Sequence, residues 1–198
     1  MLKFFVFNAF RENTYIIYDE TKECVIIDPG CYHDYEQKEL TDFISKEELK
    51  PVKILNTHGH IDHVLGNSFV AKKYNIELGM HKDDLLILRS APEFSHLYGL
   101  SLQKIVEPSV FLNEKDIIKF GNSSMEILFT PGHSPGSLCF VNRKEKIIFS
   151  GDVLFYGSIG RTDLPGGNHK SLISNIKTKL FSFDDNFTVF PGHGMQTS

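Results

Sequence analysis

Four times in this chain an apolar, β-branched run stops at a turn, and the turn carries histidine or aspartate. "VKILN" runs into "THGHIDH" and brings His58, His60, Asp62 and His63; "SMEILFT" runs into "PGHSPGS" and brings His133. "KIIFS" runs into "GD" and brings Asp152, and "FTVF" runs into "PGHG" and brings His193. Such runs, rich in β-branched and aromatic residues and bounded by turn signals, read as strands. The glycines and prolines beside each polar residue let the backbone turn sharply and expose the side chain. Strand C-termini along one sheet edge converge on a single crevice, so a chain built this way gathers its histidines in one place.

The remaining segments fill in the frame. "KFFVF", "NTYIIYD" and "ECVIIDPG" read as three further strands, and "IELGM", "DIIKF" and "SLCFVN" as shorter ones. "DYEQKELTDFISKEEL" places Leu40, Phe43, Ile44 and Leu49 at helical spacing. "HVLGNSFVAKKYN", "KDDLLILRS" and "HKSLISNIKTKLF" also read as helices. Residues 91–110, with Pro92 and Pro108, read as an irregular excursion over one face. Strands with interposed helices in both halves predict an α/β protein with sheets at the centre and helices outside, a four-layer αββα sandwich.

Five of the nine histidines sit at the four strand ends, together with two aspartates. The other four take ordinary structural roles: His33 and His81 near helix starts, His96 in the excursion and His169 as a helix cap. Seven ligands exceed what one tetrahedral ion takes and suit two ions that share a carboxylate. Imidazole with carboxylate favours zinc, iron or manganese over calcium or magnesium, which prefer oxygen. None of Cys24, Cys31 and Cys139 falls in the set, which argues against a closed structural zinc site and for a catalytic one.

These motifs resemble the metallo-β-lactamase superfamily along nearly the whole chain. "THGHIDH" is similar to its THxHxDH signature, and "PGHSPGS", "SGD" and "PGHG" follow in the order of its later ligand motifs. The resemblance implies the metallo-β-lactamase fold, residues 1–198 as one such domain, and two divalent metal ions, zinc before iron or manganese. By motif, His58, His60 and His133 would hold the first ion; Asp62, His63 and His193 the second; and Asp152 would bridge them, so that Asp62 and Asp152 stand among the catalytic residues. Two ions roughly 3.5–4 Å apart share a hydroxide that is nucleophilic at neutral pH.

Within the superfamily the chain looks like the glyoxalase II-like hydrolases, and "GSIGRTDLPGGN" is similar to a segment of their small single-domain branch. That likeness implies a hydrolase cleaving a thioester of the hydroxyacylglutathione kind, or a related ester. Arg161, just after the bridging aspartate, would suit an anionic substrate carboxylate; Asp163 either holds it there or pairs with it in a plain turn salt bridge. Glyoxalase II proper continues into a helical domain after its last ligand, whereas here the sequence stops five residues after His193. The chemistry is therefore expected without much of that recognition surface.

An iron(II) persulfide dioxygenase is the rival reading from the same resemblance, with one ion on His58, His133 and Asp152. A nuclease of the superfamily fits less well, because the net charge is −4 and the basic residues are scattered. "HGHIDH" keeps Asp62 beside His63 in the thioesterase-like pattern, against β-lactam hydrolysis. The partner expected is a small thioester, with neither nucleic acid nor membrane. "MLKFFVFNAF" is too short for a membrane span and lacks a small-residue cleavage site, and three cysteines make no pairing framework. Both features point to the cytoplasm.

Overall fold

A strand that is apolar on both sides must be covered on both faces, and this chain meets that demand with two stacked sheets flanked by helices. The computed structural model describes residues 1–102 and 104–198. The first half runs β1 (Leu2–Phe7), β2 (Glu12–Tyr18), β3 (Glu23–Ile27), α1 (Asp34–Lys46), β4 (Lys50–Leu55), α2 (Ile61–Val64), α3 (Asn67–Tyr74), β5 (Glu77–Met80), α4 (Leu85–Ser95) and β6 (Val110–Phe111). The second runs β7 (Ile117–Phe120), β8 (Ser123–Phe129), β9 (Leu138–Asn142), β10 (Ile147–Gly151), β11 (Leu154–Phe155), β12 (Ser158–Ile159), α5 (His169–Thr178) and β13 (Thr188–Pro191). One sheet has the order β1-β2-β3-β4-β5-β6 and the other β13-β10-β9-β8-β7, with β11 and β12 as a small separate hairpin.

Alternation sorts the residues into layers. Tyr15, Ile17, Val25, Ile27 and Leu55 of the first sheet meet Ile118, Phe120, Met125, Ile127, Phe140 and Phe149 of the second. Their sequence neighbours Ile16, Cys24, Ile26 and Ile54 face the other way, onto Leu40 and Ile44 of α1 and Val70 of α3. On the far side Leu128, Cys139, Val141 and Ile148 pack on Leu172 and Ile176 of α5. The result is the αββα sandwich that the sequence indicates. Cys24, Cys31 and Cys139 are all buried and unpaired.

Three local readings change. "HVLGNSFVAKKYN" forms two helices rather than one, because the Gly66 N–H leaves the helical ladder to donate to the Pro29 carbonyl at 2.7 Å. The helix after β5 runs through Pro92 to Ser95, deeper into the excursion than expected. Burial of Leu88, Ala91 and Ser95 on one face holds it together past the proline. Asn168, not His169, caps α5; its side-chain oxygen accepts the Ser171 N–H at 2.9 Å.

The sheet order sets where the strand ends fall. β3, β4 and β5 are mutually parallel, so their C-termini share one edge of the first sheet. β9 runs antiparallel to both β8 and β10, and β10 is parallel to β13, so β8, β10 and β13 also end at a common edge. The Leu138 N–H at the start of β9 donates to the Thr57 carbonyl just after β4, at 2.8 Å, which joins the two edges.

Phe140 is fully buried in the layer between the sheets. Phe140→Ala is expected to lower the unfolding free energy of the metal-free protein by about 3–5 kcal/mol in urea titration. A loss below about 1 kcal/mol would mean that this layer collapses around the cavity instead of depending on the ring.

Candidate metal centre

All seven residues expected at the strand ends lie together at the shared edge, in two groups. His58 and His60 follow β4 and His133 follows β8. His60 Nδ1 is 2.9 Å from His133 Nε2, which is 3.2 Å from His58 Nε2. In the second group, His193 Nε2 stands 3.0 Å and His63 Nε2 3.6 Å from Asp62 Oδ2. Within each trio the candidate ligand atoms lie within 4.8 Å of one another. Asp152 stands between the groups. Its Oδ1 is 3.5 Å from His63 Nε2, while its Oδ2 is 3.6 Å from His133 Nε2 and 3.7 Å from His193 Nε2.

The donor set fits a divalent metal. His63 Nε2 and Asp152 Oδ1 are buried and make no hydrogen bond, and buried polar atoms in that condition are costly. Three imidazole nitrogens turned toward one point repel unless a cation or proton lies among them.

The far side of four of the five imidazoles is tied down, as is usual for metal-ligating histidines; His60 instead turns its Nδ1 toward His133. The Thr57 hydroxyl donates to Asp28 Oδ2 at 2.6 Å, so its oxygen is left to accept from His58 Nδ1 at 3.0 Å. His63 Nδ1 donates to Asp28 Oδ2 at 3.0 Å. His133 Nδ1 donates to the Arg161 carbonyl at 2.8 Å, and His193 Nδ1 to the Arg11 carbonyl at 3.3 Å. In each case Nε2 keeps its lone pair toward the cleft.

Asp28 is one residue that reading the sequence missed. It is buried, sits at the C-terminal end of β3, and also accepts the Thr57 N–H at 2.7 Å. The signal lay in "IIDPG", one more strand end with an aspartate beside a turn.

Arg161 adjoins the centre through its backbone. Its side chain turns to Asp163, with Nε and Nη2 each donating at 2.7 Å to a carboxylate oxygen, and both side chains are exposed. The four other histidines stay out of the centre. His33 and His81 precede helical turns, and His81 Nδ1 accepts the Asp83 N–H while its ring stacks 4.2 Å from that of Phe129. His96 lies in a 3-10 turn after α4, and His169 is the first residue of α5.

The two groups differ electrically. Burial and the neighbouring imidazoles hold His58 well below the usual histidine range. Burial and then His133 push His60 down to about 4. Burial works the same way on His63, but Asp62, Asp152 and Asp28 outweigh it and raise that imidazole well above its ordinary value. His193 is also raised, because its hydrogen bond to Asp62 and the charge of Asp152 overcome burial. Asp62 and Asp152 are lowered against their burial, chiefly by His63. Without metal, the second group is thus a buried set of ion pairs in which protons stand where a cation fits.

Comparison with known proteins agrees with this geometry. The metallo-beta-lactamase superfamily model matches residues 8–193, and the chain belongs to that superfamily. It is 37% identical to the hydroxyacylglutathione hydrolase GloC of Haemophilus influenzae, over 96% of this chain and 89% of that one. It is 35% identical to the probable metallo-hydrolase YqgX of Bacillus subtilis, over 94% and 87%. The crystal structure of the BLEG-1 B3 metallo-beta-lactamase superposes with a TM-score of 0.89 at 35% identity, covering 100% of this chain and 93% of that one. That of TTHA1623 in a di-iron-bound form gives 0.89 at 33%, covering 99% and 94%. The chain is a metallo-hydrolase of this superfamily, whose members bind divalent metals. Among the described residues no helix is long and apolar enough to cross a membrane.

The histidine shifts carry a pH signature for the metal-free protein. His63 and His193 are raised, so their contribution is complete below about 6.5 and is lost as pH climbs through their folded values. His58 and His60 are lowered, so the unfolded chain takes up protons that the native state refuses, and stability falls as pH drops from about 6.5 toward 4. The urea midpoint in chelator is expected to peak near pH 6–7, and His60→Ala to flatten the acid limb. An acid limb that His60→Ala leaves unchanged would contradict this assignment.

Proposed function

We propose that this protein is a glyoxalase II-like hydrolase that uses two divalent ions, zinc in preference to iron or manganese, to cleave a thioester of the hydroxyacylglutathione kind. The observation that carries this reading is the pair of complete ligand groups facing one carboxylate. In this reading His58, His60 and His133 would hold one ion, Asp62, His63 and His193 would hold the other, and Asp152 would serve both. Bound there, the ions supply Lewis acidity and water made acidic enough to attack at neutral pH. The products are a carboxylic acid and a free thiol, with water adding across the acyl–sulfur bond.

The chain's own groups set up that reaction. Asp28, Thr57 and the carbonyls of Arg11 and Arg161 fix His58, His63, His133 and His193 each in one tautomer, with Nε2 toward the cleft, while His60 turns its Nδ1 inward. His58 and His60 are neutral at pH 7, so no proton competes for their lone pairs. The His193 side chain is the most open member of its group, at 27% exposure against 0% for His63 and 13% for Asp62. Substrate therefore enters on the His193 side, where the Phe155 ring lies 6.3 Å from the imidazole. Arg161 is the candidate anchor for a substrate carboxylate. Asp163 engages two of its nitrogens, and donors on the third remain for an anion.

The relative from Haemophilus influenzae carries the same activity in its name, which supports the thioester assignment. The dioxygenase alternative would employ only His58, His133 and Asp152 and leave the second group idle.

Steady-state hydrolysis of S-lactoylglutathione, a neutral thioester and a β-lactam tests the proposal. Chelator-sensitive turnover of S-lactoylglutathione is expected, and Asp152→Ala should lower kcat by more than about a hundredfold, the scale of one lost preorganised electrostatic contact. Arg161→Ala should raise KM about tenfold for the carboxylate-bearing thioester and hardly at all for the neutral one. Thioester turnover absent in metal-loaded protein, or kcat of Asp152→Ala within about tenfold of wild type, would overturn the reading.

A further inference from the structure

Three residues of the ligand motifs hold nothing in the account so far: Gly59 between His58 and His60, and Ser134 and Gly136 just after His133. All three meet one carboxylate. Asp84 is fully buried and ends the 3-10 turn Lys82–Asp84 that follows β5 and leads into α4. Its Oδ2 accepts the Gly59 N–H at 2.7 Å and the Ser134 hydroxyl at 2.7 Å, and its Oδ1 accepts the Gly136 N–H.

The approach is close enough to dictate the sequence on both sides. A Cβ on Gly59 would lie 2.9 Å from the Asp84 carbonyl oxygen, and one on Gly136 would lie 2.7 Å from the Asp84 nitrogen and 2.8 Å from Oδ1. Any side chain at either position would push the Asp84 segment out of place.

The donors come from both sheets. Gly59 belongs to the loop after β4, in the first sheet, and Ser134 and Gly136 belong to the loop after β8, in the second. His58 and His60 ride on the former loop and His133 on the latter. The first group is thus assembled across the sheet-to-sheet seam, and Asp84 ties both sides of it.

We propose that Asp84 is a positioning residue for the first metal group, a buried staple that holds the His58–His60 loop at ligand distance from His133. The proposal rests on the reading of that group as a metal site. A carboxylate suits the task because both oxygens only accept; an asparagine there would turn an NH2 toward at least one N–H donor. The second group has different supports, since His63 leans on Asp28 and His193 on the Arg11 carbonyl. Loss of Asp84 is therefore expected to act selectively.

Cobalt(II) titrations of metal-free wild type, Asp84→Asn, Ser134→Ala, His133→Ala and Phe140→Ala test this, with His133→Ala marking which of two binding events belongs to the first group. Asp84→Asn should weaken that event by about 10–100-fold, the range for a lost partner of a metal ligand, and leave the other event within about threefold. Ser134→Ala, which removes one of the three contacts, should weaken the same event by a smaller factor. Phe140→Ala, destabilised far from the seam, should change neither event. Equal weakening of both events in Asp84→Asn, or no weakening of the marked one, overturns the staple. Should Asp84→Asn fail to fold, Ser134→Ala decides: an unchanged marked event overturns the proposal. Wild type that binds no ion at the His133-dependent event removes the metal reading and this role with it, whereas wild type that binds it with variants that match overturns the staple alone.

Discussion

Asp152 is an acidic side chain almost shut off from water, and the fold around it is arranged to make that tolerable. A buried carboxylate needs either counter-charge or several hydrogen bonds, yet its Oδ1 has no hydrogen bond. What surrounds it is imidazole: His63, His133 and His193, all within 3.7 Å of one of its oxygens. Each of those rings comes from a different segment at the edge, and each is backed by its own acceptor. The centre is a demand for cation that the polypeptide meets only in part, through raised histidines in the second group.

Meeting it at all requires the sandwich. The seven side chains arrive from the ends of β4, β8, β10 and β13, which belong to two sheets. They converge because parallel pairing in the first sheet and the β8–β9–β10 meander in the second bring those ends to one edge. The apolar layer from Tyr15 to Phe149 fixes the distance between the sheets. Polar ties at the edge then fix the register: Asp28 within the first sheet, and Leu138 to Thr57 and Asp84 across the seam.

Much of this was legible in the chain. Period-two runs with helices between them indicated the layers, and histidines and aspartates clustered in the turns after apolar runs indicated the seven side chains that gather at the shared edge. The residues that support them were harder to read. Asp28 and Asp84 each sit in a turn, "DPG" and "KDDL", where an aspartate is an ordinary turn or cap residue, and their partners lie up to 52 positions away. The two-residue strands β6, β11 and β12 are too short to show a period. Pro92 looked like a helix stop, and only the tertiary burial of Leu88, Ala91 and Ser95 carries the helix past it. The pairing of Arg161 with Asp163 could be anticipated from their spacing, but the use of the Arg161 carbonyl by His133 is a matter of conformation.

The central claim is that two complete ligand groups serve two ions joined by one carboxylate. Elemental analysis of protein purified without chelator, read alongside the same measurement on Asp152→Ala, tests it most directly. About two equivalents of zinc, or of zinc and iron together, are expected in the wild type and a clear deficit in the variant. A reproducible single equivalent of iron in the wild type would contradict the account and favour a one-ion centre on His58, His133 and Asp152.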